Sequence, residues 1–429
     1  MNEARNKSLE FWLTLTLCTL VGLGVGCSDT RGLLLGQTGE IDGGDTGNNA
    51  MDNGGGDGGS DAPGGGSDAH TTGDTTQMEY CMGSGPPLLE GGLCWSDGPK
   101  PIFERALCAC GDVVITQTLR TRLIDENGPS PPGRASVATP GIFEVGGRMT
   151  VGGDLVLSNP QGFAPSSADP LLVERSMALG GPLQTESDIR VVQEAQVAGD
   201  VQVGGDLTVG GTLVQPPGAQ LTVGGQQQVN AQRNASVAVE PPCGCDASAA
   251  VDPGAEVARA RLDNDNASIG LDPDALNRLE QDTILSLPCG RYLLNRIAGG
   301  IHLIRLQIQG RVALYVDGDI ELDRQLALTF DGPGAELDLF VAGRLISAGT
   351  LQLGERENTQ ALRIYVGGPG PLELSGILDL AGHLYAPNSE LALNGNAEVF
   401  GSIQVQQMTL SGSLTLFYDP TAQELECGP

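Results

Sequence analysis

Asp317, Asp319, Asp338 and Asp379 are the carboxylates whose setting could support acid–base chemistry, all within a C-terminal region of strands and turns. Such chemistry needs several carboxylates converging from neighbouring chain segments, with an arginine or lysine as base or a second acid as partner. Asp317 and Asp319 flank Gly318 in one turn, the usual habitat of structural aspartates, and no equivalent acids recur at Gly343 or Gly367. The histidines are scattered: His70 sits in a glycine-rich stretch, and His302 and His383 stand alone. The sequence holds no Gly-x-Ser-x-Gly elbow, phosphate loop or His-Glu-x-x-His. The reading is therefore a protein that is not an enzyme, with no catalytic residue, no cofactor and no metal ligand. Its rival is a polysaccharide-cleaving β-helix. Three or more acids or bases within ~10 Å on one face, beside a concave cleft, would favour that rival.

Cysteine supplies a second chemistry. Apart from Cys18 and Cys27 near the N-terminus, the chain has Cys81, Cys94, Cys108, Cys110, Cys243, Cys245, Cys289 and Cys427. In an exported chain these eight predict up to four disulfides, with about 105 possible connectivities. Cys108-Ala-Cys110 precedes a repeat region and Cys243-Gly-Cys245 follows it, while Cys289 and Cys427 bracket the C-terminal part. This placement suggests staples closing the ends of folded segments. The alternative is an all-cysteine zinc site, for which the one-residue spacing is tighter than the usual knuckle.

The elements that must position these groups are written in a period of six. Val197, Val203 and Val209 recur with Val201, Leu207 and Leu213 at the fourth place after each, and Gly199, Gly205 and Gly211 hold one slot. A strand alone gives period two and a helix 3.6, so a strict six reads as one short strand plus one corner, repeated. Glycine is expected at the corner for its backbone freedom. The unit also appears at Val145-Gly-Gly147, Val151-Gly-Gly153 and Val223-Gly-Gly225. Further on, Tyr315-Val316, Phe340-Val341, Tyr365-Val366 and Tyr385-Ala386 each end an alternating apolar run and lead into a turn. These spacings fit whole coils carrying an aromatic column stacked inside. Between the two parts, Asp252-Pro253 and Asp272-Pro273 predict caps of two short helices, Ala255–Leu262 and Asp274–Asp282, with Val257, Leu262, Leu276 and Leu279 to pack. Asp263-Asn-Asp-Asn266 lacks the glycine of a calcium loop and reads as a polar turn capping the second helix.

The fold class is thus all-β: a β-solenoid (β-helix) in two segments joined by a short helical connector, after a disordered tether. The boundaries are residues 1–27 for a signal, 28–77 for the tether, 78–245 for the hexad solenoid, 246–284 for the connector and 285–429 for the C-terminal solenoid. The hexads resemble those of bactofilins, filament-forming bacterial β-helices, over roughly residues 140–226. Leu287-Pro-Cys-Gly-Arg-Tyr, Val312-Ala-Leu-Tyr-Val-Asp-Gly-Asp, Leu384-Tyr-Ala-Pro-Asn-Ser and Leu393-Asn-Gly-Asn resemble a family of exported bacterial proteins of unknown role. Its β-solenoid domain also occurs in pilus-associated and large surface proteins. That resemblance implies a surface scaffold, or a module of a pilus or secretion assembly, and brings no catalytic residue.

The N-terminus points to export. Arg5 and Lys7 precede the apolar run Phe11–Gly26, which is short for a bilayer span, and Leu23-Gly-Val-Gly-Cys27 resembles the bacterial lipoprotein box. Cleavage there would leave Cys27 as a lipidated N-terminus, anchoring the chain in a membrane; a plain secretory peptide is the alternative. Ser28 favours the outer membrane or cell surface of a Gram-negative-type bacterium. Residues 28–77 are dominated by Gly, Asp, Thr and Ser and lack aromatics, so they cannot bury enough surface to offset ordering entropy. A formal charge of −30 excludes nucleic acid as a partner, which would call for a basic footprint. A glycan or another envelope protein is the expected partner, and the oligomeric state is open.

Overall fold

Each hexad folds as a three-residue strand and a corner. Ile189–Val191, Ala195–Val197 and Val201–Val203 form three successive sides of one coil, and the next coil begins three hexads later, where Ile189 pairs in parallel with Leu207. Along each strand the outer two residues are buried and the middle one faces out, as period two requires. Stacked coils therefore build three parallel ladders around a single column of Val, Leu, Ile and Met. The computed structural model describes residues 72–87, 102–124, 135–245, 251–421 and 427, all in one unit of about 12 turns. At ~4.8 Å per coil the stack is roughly 60 Å long.

The two solenoid segments are one stack. The last C-terminal coils hydrogen-bond directly onto the first hexad coil: Leu107 pairs with Ile403, Val113 with Met408 and Leu119 with Leu414. Hexads thus begin in the middle of the rod and coil to one end at Gln227–Asn234. The chain then returns along the outside to the far end, where Thr283–Leu294 starts the second segment and coils back to the middle. The return is taut. From Asn234 to Cys243 nine residues cross six coil spacings, roughly 29 Å against a full extension of roughly 30–32 Å.

The glycines work by closeness, not by unusual backbone angles. None of the hexad glycines has positive φ. A Cβ on Gly210 would instead lie 2.1 Å from the Val192 carbonyl of the coil below, and one on Gly205 would lie 2.2 Å from Asp188 Oδ1. The second contact explains the Gly-Asp pairs. Asp188 Oδ1 accepts the backbone N–H of Asp206 at 2.8 Å, and Asp206 Oδ1 accepts that of Gln226 at 2.7 Å. Asp112, Asp154, Asp200 and Asp319 do the same for Ile142, Ser176, Gln220 and Arg344. Corners leave N–H groups outside the strand ladder, and a carboxylate one coil earlier satisfies them.

Among the described residues, three α-helices complete the unit. Helix α1 (Thr72–Met82) takes in the last residues assigned by sequence to the tether. Helix α2 (Pro253–Ala260) is capped by Asp252, whose carboxylate accepts from Gly254 and Ala255, with Pro253 opening the helix as expected. The second predicted helix is absent: 273–277 is a turn, and the short α3 is Asn266–Ile269. The Asp263–Asn266 turn caps a sheet edge instead. Asp265 accepts from Arg291 N, and the Asn266 side chain bonds both N and O of Leu293. Leu276 is buried over the first coil, whereas Leu262, expected to pack, is 91% exposed.

Candidate functional site

The first face of the rod carries the rings, but outside the coil. On Glu336–Val341, Leu337, Leu339 and Val341 fill the interior, so the alternation turns Asp338 and Phe340 outward. Tyr315, Phe340, Tyr365 and Tyr385 are in register on successive coils, the first three stacked with centroids 5.1 and 4.6 Å apart. The inside placement expected from sequence is corrected: the valines beside the rings point in. The ring column is nonetheless buried, because α1, α2 and Ile102–Phe103 lie over it with Tyr80, Val257 and Ala260. It forms a second core between rod and strap.

Charges under the same cover form a closed network. Arg363, 1% exposed, donates to both oxygens of Asp338 at 2.6 and 2.7 Å, to Glu336 at 2.8 Å and to the Gln360 carbonyl at 2.6 Å. Burial alone would lower the Arg363 pKa, but Asp338 and Glu336 outweigh it and hold the guanidinium charged. Burial pushes the Glu336 carboxyl up against the pull of Arg363. Glu336 accepts from Gly85 N at 2.8 Å, and Arg311 donates to the Tyr80 and Gly85 carbonyls while its guanidinium lies 4.3 Å over the Tyr80 ring. Four charges therefore do converge on one face, as the enzyme reading requires. They are buried, and Glu336 and Arg311 bond the N-terminal arm at Gly85 and Tyr80.

His383 lies under this cover too. Its Nδ1 shares a 2.8 Å hydrogen bond with Ser402 Oγ, and its ring sits 4.9 Å from that of Phe103. Phe103 holds φ at +66°, the one non-glycine residue with positive φ among those described, a strained backbone kept by packing. Burial pulls the His383 pKa down to about 4, against the opposing effect of Asp419. The folded value is depressed below the ordinary 6.5, so on acidification the unfolded chain takes up the proton first. Stability is lost as pH falls from 6.5 towards 4, by roughly 3 kcal/mol. Denaturant unfolding at the two ends of that window should show the loss, and His383→Asn, which keeps an acceptor for Ser402, should remove most of it.

The other predicted residues are dispersed. Asp319 serves its corner and pairs with Arg344 at 3.1 Å, Asp317 pairs with Arg261, and Asp379 pairs with Arg356 at 3.1 Å. His302 lies 3.8 Å from Asp282. Among the described residues no group of three or more His, Cys, Asp or Glu could hold a metal. Cys108 is bonded to Cys243, Cys110 to Cys245 and Cys81 to Cys289; Cys427 is also disulfide-bonded. The described cysteines are thus oxidised, not a zinc site. Cys108 and Cys110 lie in mid-rod, so those two bridges fasten the return strap to the stack and do not close an end. Cys27, Cys94, His70 and the tether up to residue 71 lie outside the described residues.

Another ladder of the rod carries a partly exposed pair of rings. Phe400 and Phe417, in register on neighbouring coils, stack half-exposed at 4.6 Å and 9°. Arg356 lies 4.4 Å over Phe400 and reaches Asp379 and Glu398, the latter at 2.7 Å. Beside them runs a groove of about 350 Å³, edged by Arg305, Gln325, Thr329, Gln352 and Arg356. Sequence reasoning missed this pair; the signal was the equal placement of Phe400 and Phe417, each three residues into its apolar run, after Ala397 and Leu414. A stacked ring pair beside amide and guanidinium donors offers a flat apolar surface next to hydrogen-bonding groups, which suits contact with a polar, partly apolar ligand.

These features define a parallel β-solenoid with one face covered by α1, α2 and Ile102–Phe103 and, among the described residues, a partly exposed ring pair on another. A family model described as Domain of unknown function (DUF7305) matches residues 244–425, taking in α2 as well as the C-terminal coils. No curated protein and no solved structure matches the chain. The likeness to bactofilins gains nothing from these comparisons and stays confined to the hexads.

Proposed function

We propose that this chain is a non-catalytic scaffold of the cell envelope, anchored through a lipid on Cys27 and presenting its partly exposed ring pair to a glycan or another envelope protein. The carrying observation is the division of labour among its charged groups. Corner aspartates are spent on backbone N–H groups, the buried set around Arg363 is spent on holding Tyr80 and Gly85 of the N-terminal arm, and Asp379 and Glu398 beside the groove are paired with Arg356. The partly exposed face with Phe400, Phe417 and Arg356 is the surface available for adhesion. The sequence of the first 27 residues supports the anchor, and the glycine-rich stretch after it supports presentation away from the lipid. Residues 244–425 match a family of unknown function, which is consistent with a scaffold and does not decide its partner.

The test is fractionation followed by capture. Native chain should sediment with membranes, while Cys27→Ser should appear in the soluble fraction. Phe400→Ala with Arg356→Ala should then lose retention on isolated envelope glycan or envelope protein without change in the melting curve. Equal fractionation of the two forms sinks the anchor. Turnover of a polysaccharide by the purified chain sinks the non-catalytic reading.

A further inference from the structure

The two ends of the rod differ in a way that neither fold nor anchoring requires. At the start of the C-terminal segment the edge is closed from Arg291 onward, while Thr283–Ser286 stays partly exposed. Asn295 N bonds the Pro273 carbonyl, Ala298 N bonds that of Leu276, and Leu271, Leu276 and Leu279 pack on the interior. At the hexad end the last strand, Gln227–Asn234, is exposed along almost its whole length, and Leu221, Val223 and Val229 of the last coil are only partly covered. Natural edge strands are usually blunted by charge, proline or a cover. This one has Gln, Asn, Val and Ala with a single charge, Arg233, and no proline.

Charge sharpens the contrast. The chain has 53 acidic residues, yet residues 207–239 contain none. In the corner ladder Asp188 is followed one coil later by Asp206, and Asp206 by Gln226; likewise Asp200 is followed by Gln220. Aspartate gives way to neutral glutamine at the coil where the stack stops. Two bodies of net charge −30 repel each other, and the acid-free end is where they can approach with least repulsion.

We propose that two copies of this chain pair end to end through their Gln227–Asn234 strands, in a two-fold, antiparallel contact that extends the ladder across the junction. A two-fold contact sets acid-free end against acid-free end and keeps the acidic bodies apart. A two-fold contact uses the same edge on both copies, so assembly stops at a dimer. The proposal is independent of the envelope function above.

Light scattering and sedimentation on the full chain carrying Cys27→Ser, kept in solution by loss of the lipid, test it. A dimer is expected, tightening from low to near-molar salt as repulsion between the acidic bodies is screened. Gln228→Glu with Gln232→Glu, both at exposed positions, should weaken dimerisation about tenfold or more while leaving the melting curve unchanged. A monomer at every salt concentration overturns the proposal. So does a dimer indifferent to the two substitutions, which must use another surface. A monomer that pairs only after residues 28–71 are removed also overturns it, and assigns the edge to the chain's own N-terminal segment.

Discussion

Arg363→Met should destabilise the protein by about 3–5 kcal/mol, among the largest effects of any single substitution away from the interior column. The guanidinium sits in a place from which water is excluded, and its positive charge is the counterpart of Asp338, which is fully buried. Methionine fills similar volume but leaves the Asp338 carboxylate without its two donors, and also strips one from Glu336. Leaving a buried charge unpaired costs far more than the pair contributes when intact. The control follows from that asymmetry. Asp338→Leu combined with Arg363→Met should recover much of the loss, because both desolvated charges disappear together. Denaturant midpoints of the two single variants and the double variant give the coupling directly. Should the double variant be as unstable as Arg363→Met, the loss arises from strap packing and not from the stranded carboxylate. Because Glu336 also holds Gly85 and Arg311 holds Tyr80, the N-terminal arm should become more open to proteolysis in Arg363→Met.

How much of this was legible in the sequence depends on how local each signal was. The hexads were, because Val197, Val203 and Val209 repeat at a fixed interval and each strand pairs with one three hexads away. The register of the rings was also legible: the spacing from Tyr315 to Phe340 to Tyr365 to Tyr385 is the spacing of the coils. Which side they face was misjudged, since a ring looks like core until the adjacent valine is seen to claim the interior. The Asp338–Arg363 pair carries the same interval as Phe340 and Tyr365, so extending the ring register by two residues would have found it. The reason for the corner glycines was likewise misassigned. Closeness to the coil below depends on the stacked structure, whereas backbone freedom is a property of the residue alone. Joining of the two segments was out of reach, because Leu107 pairs with Ile403 across most of the chain and no local pattern marks either as an internal edge.

The paired bridges on the return strap predict a non-additive result with an effect as large as that of Arg363. Cys108–Cys243 and Cys110–Cys245 each close a loop of sequence separation 135, and they lie two residues apart at both ends. Chain-entropy arithmetic gives about 5 kcal/mol for closing a loop of that length once. Either bridge suffices to close it. Removing Cys108–Cys243 alone, as Cys108→Ala with Cys243→Ala, should therefore cost only the packing of that buried bridge against Ala138, about 1–2 kcal/mol. Removing both bridges frees the loop in the unfolded chain and should cost about 5 kcal/mol beyond that. Equilibrium unfolding of the two double-cysteine variants and of the four-cysteine variant checks this. The strap supplies a structural reason to expect the full value: between Asn234 and Cys243 it is stretched nearly to its limit and has little regular hydrogen bonding of its own. If the four-cysteine loss equals the sum of two small ones, the unfolded chain already keeps hexads and strap together, and the stack itself closes the loop.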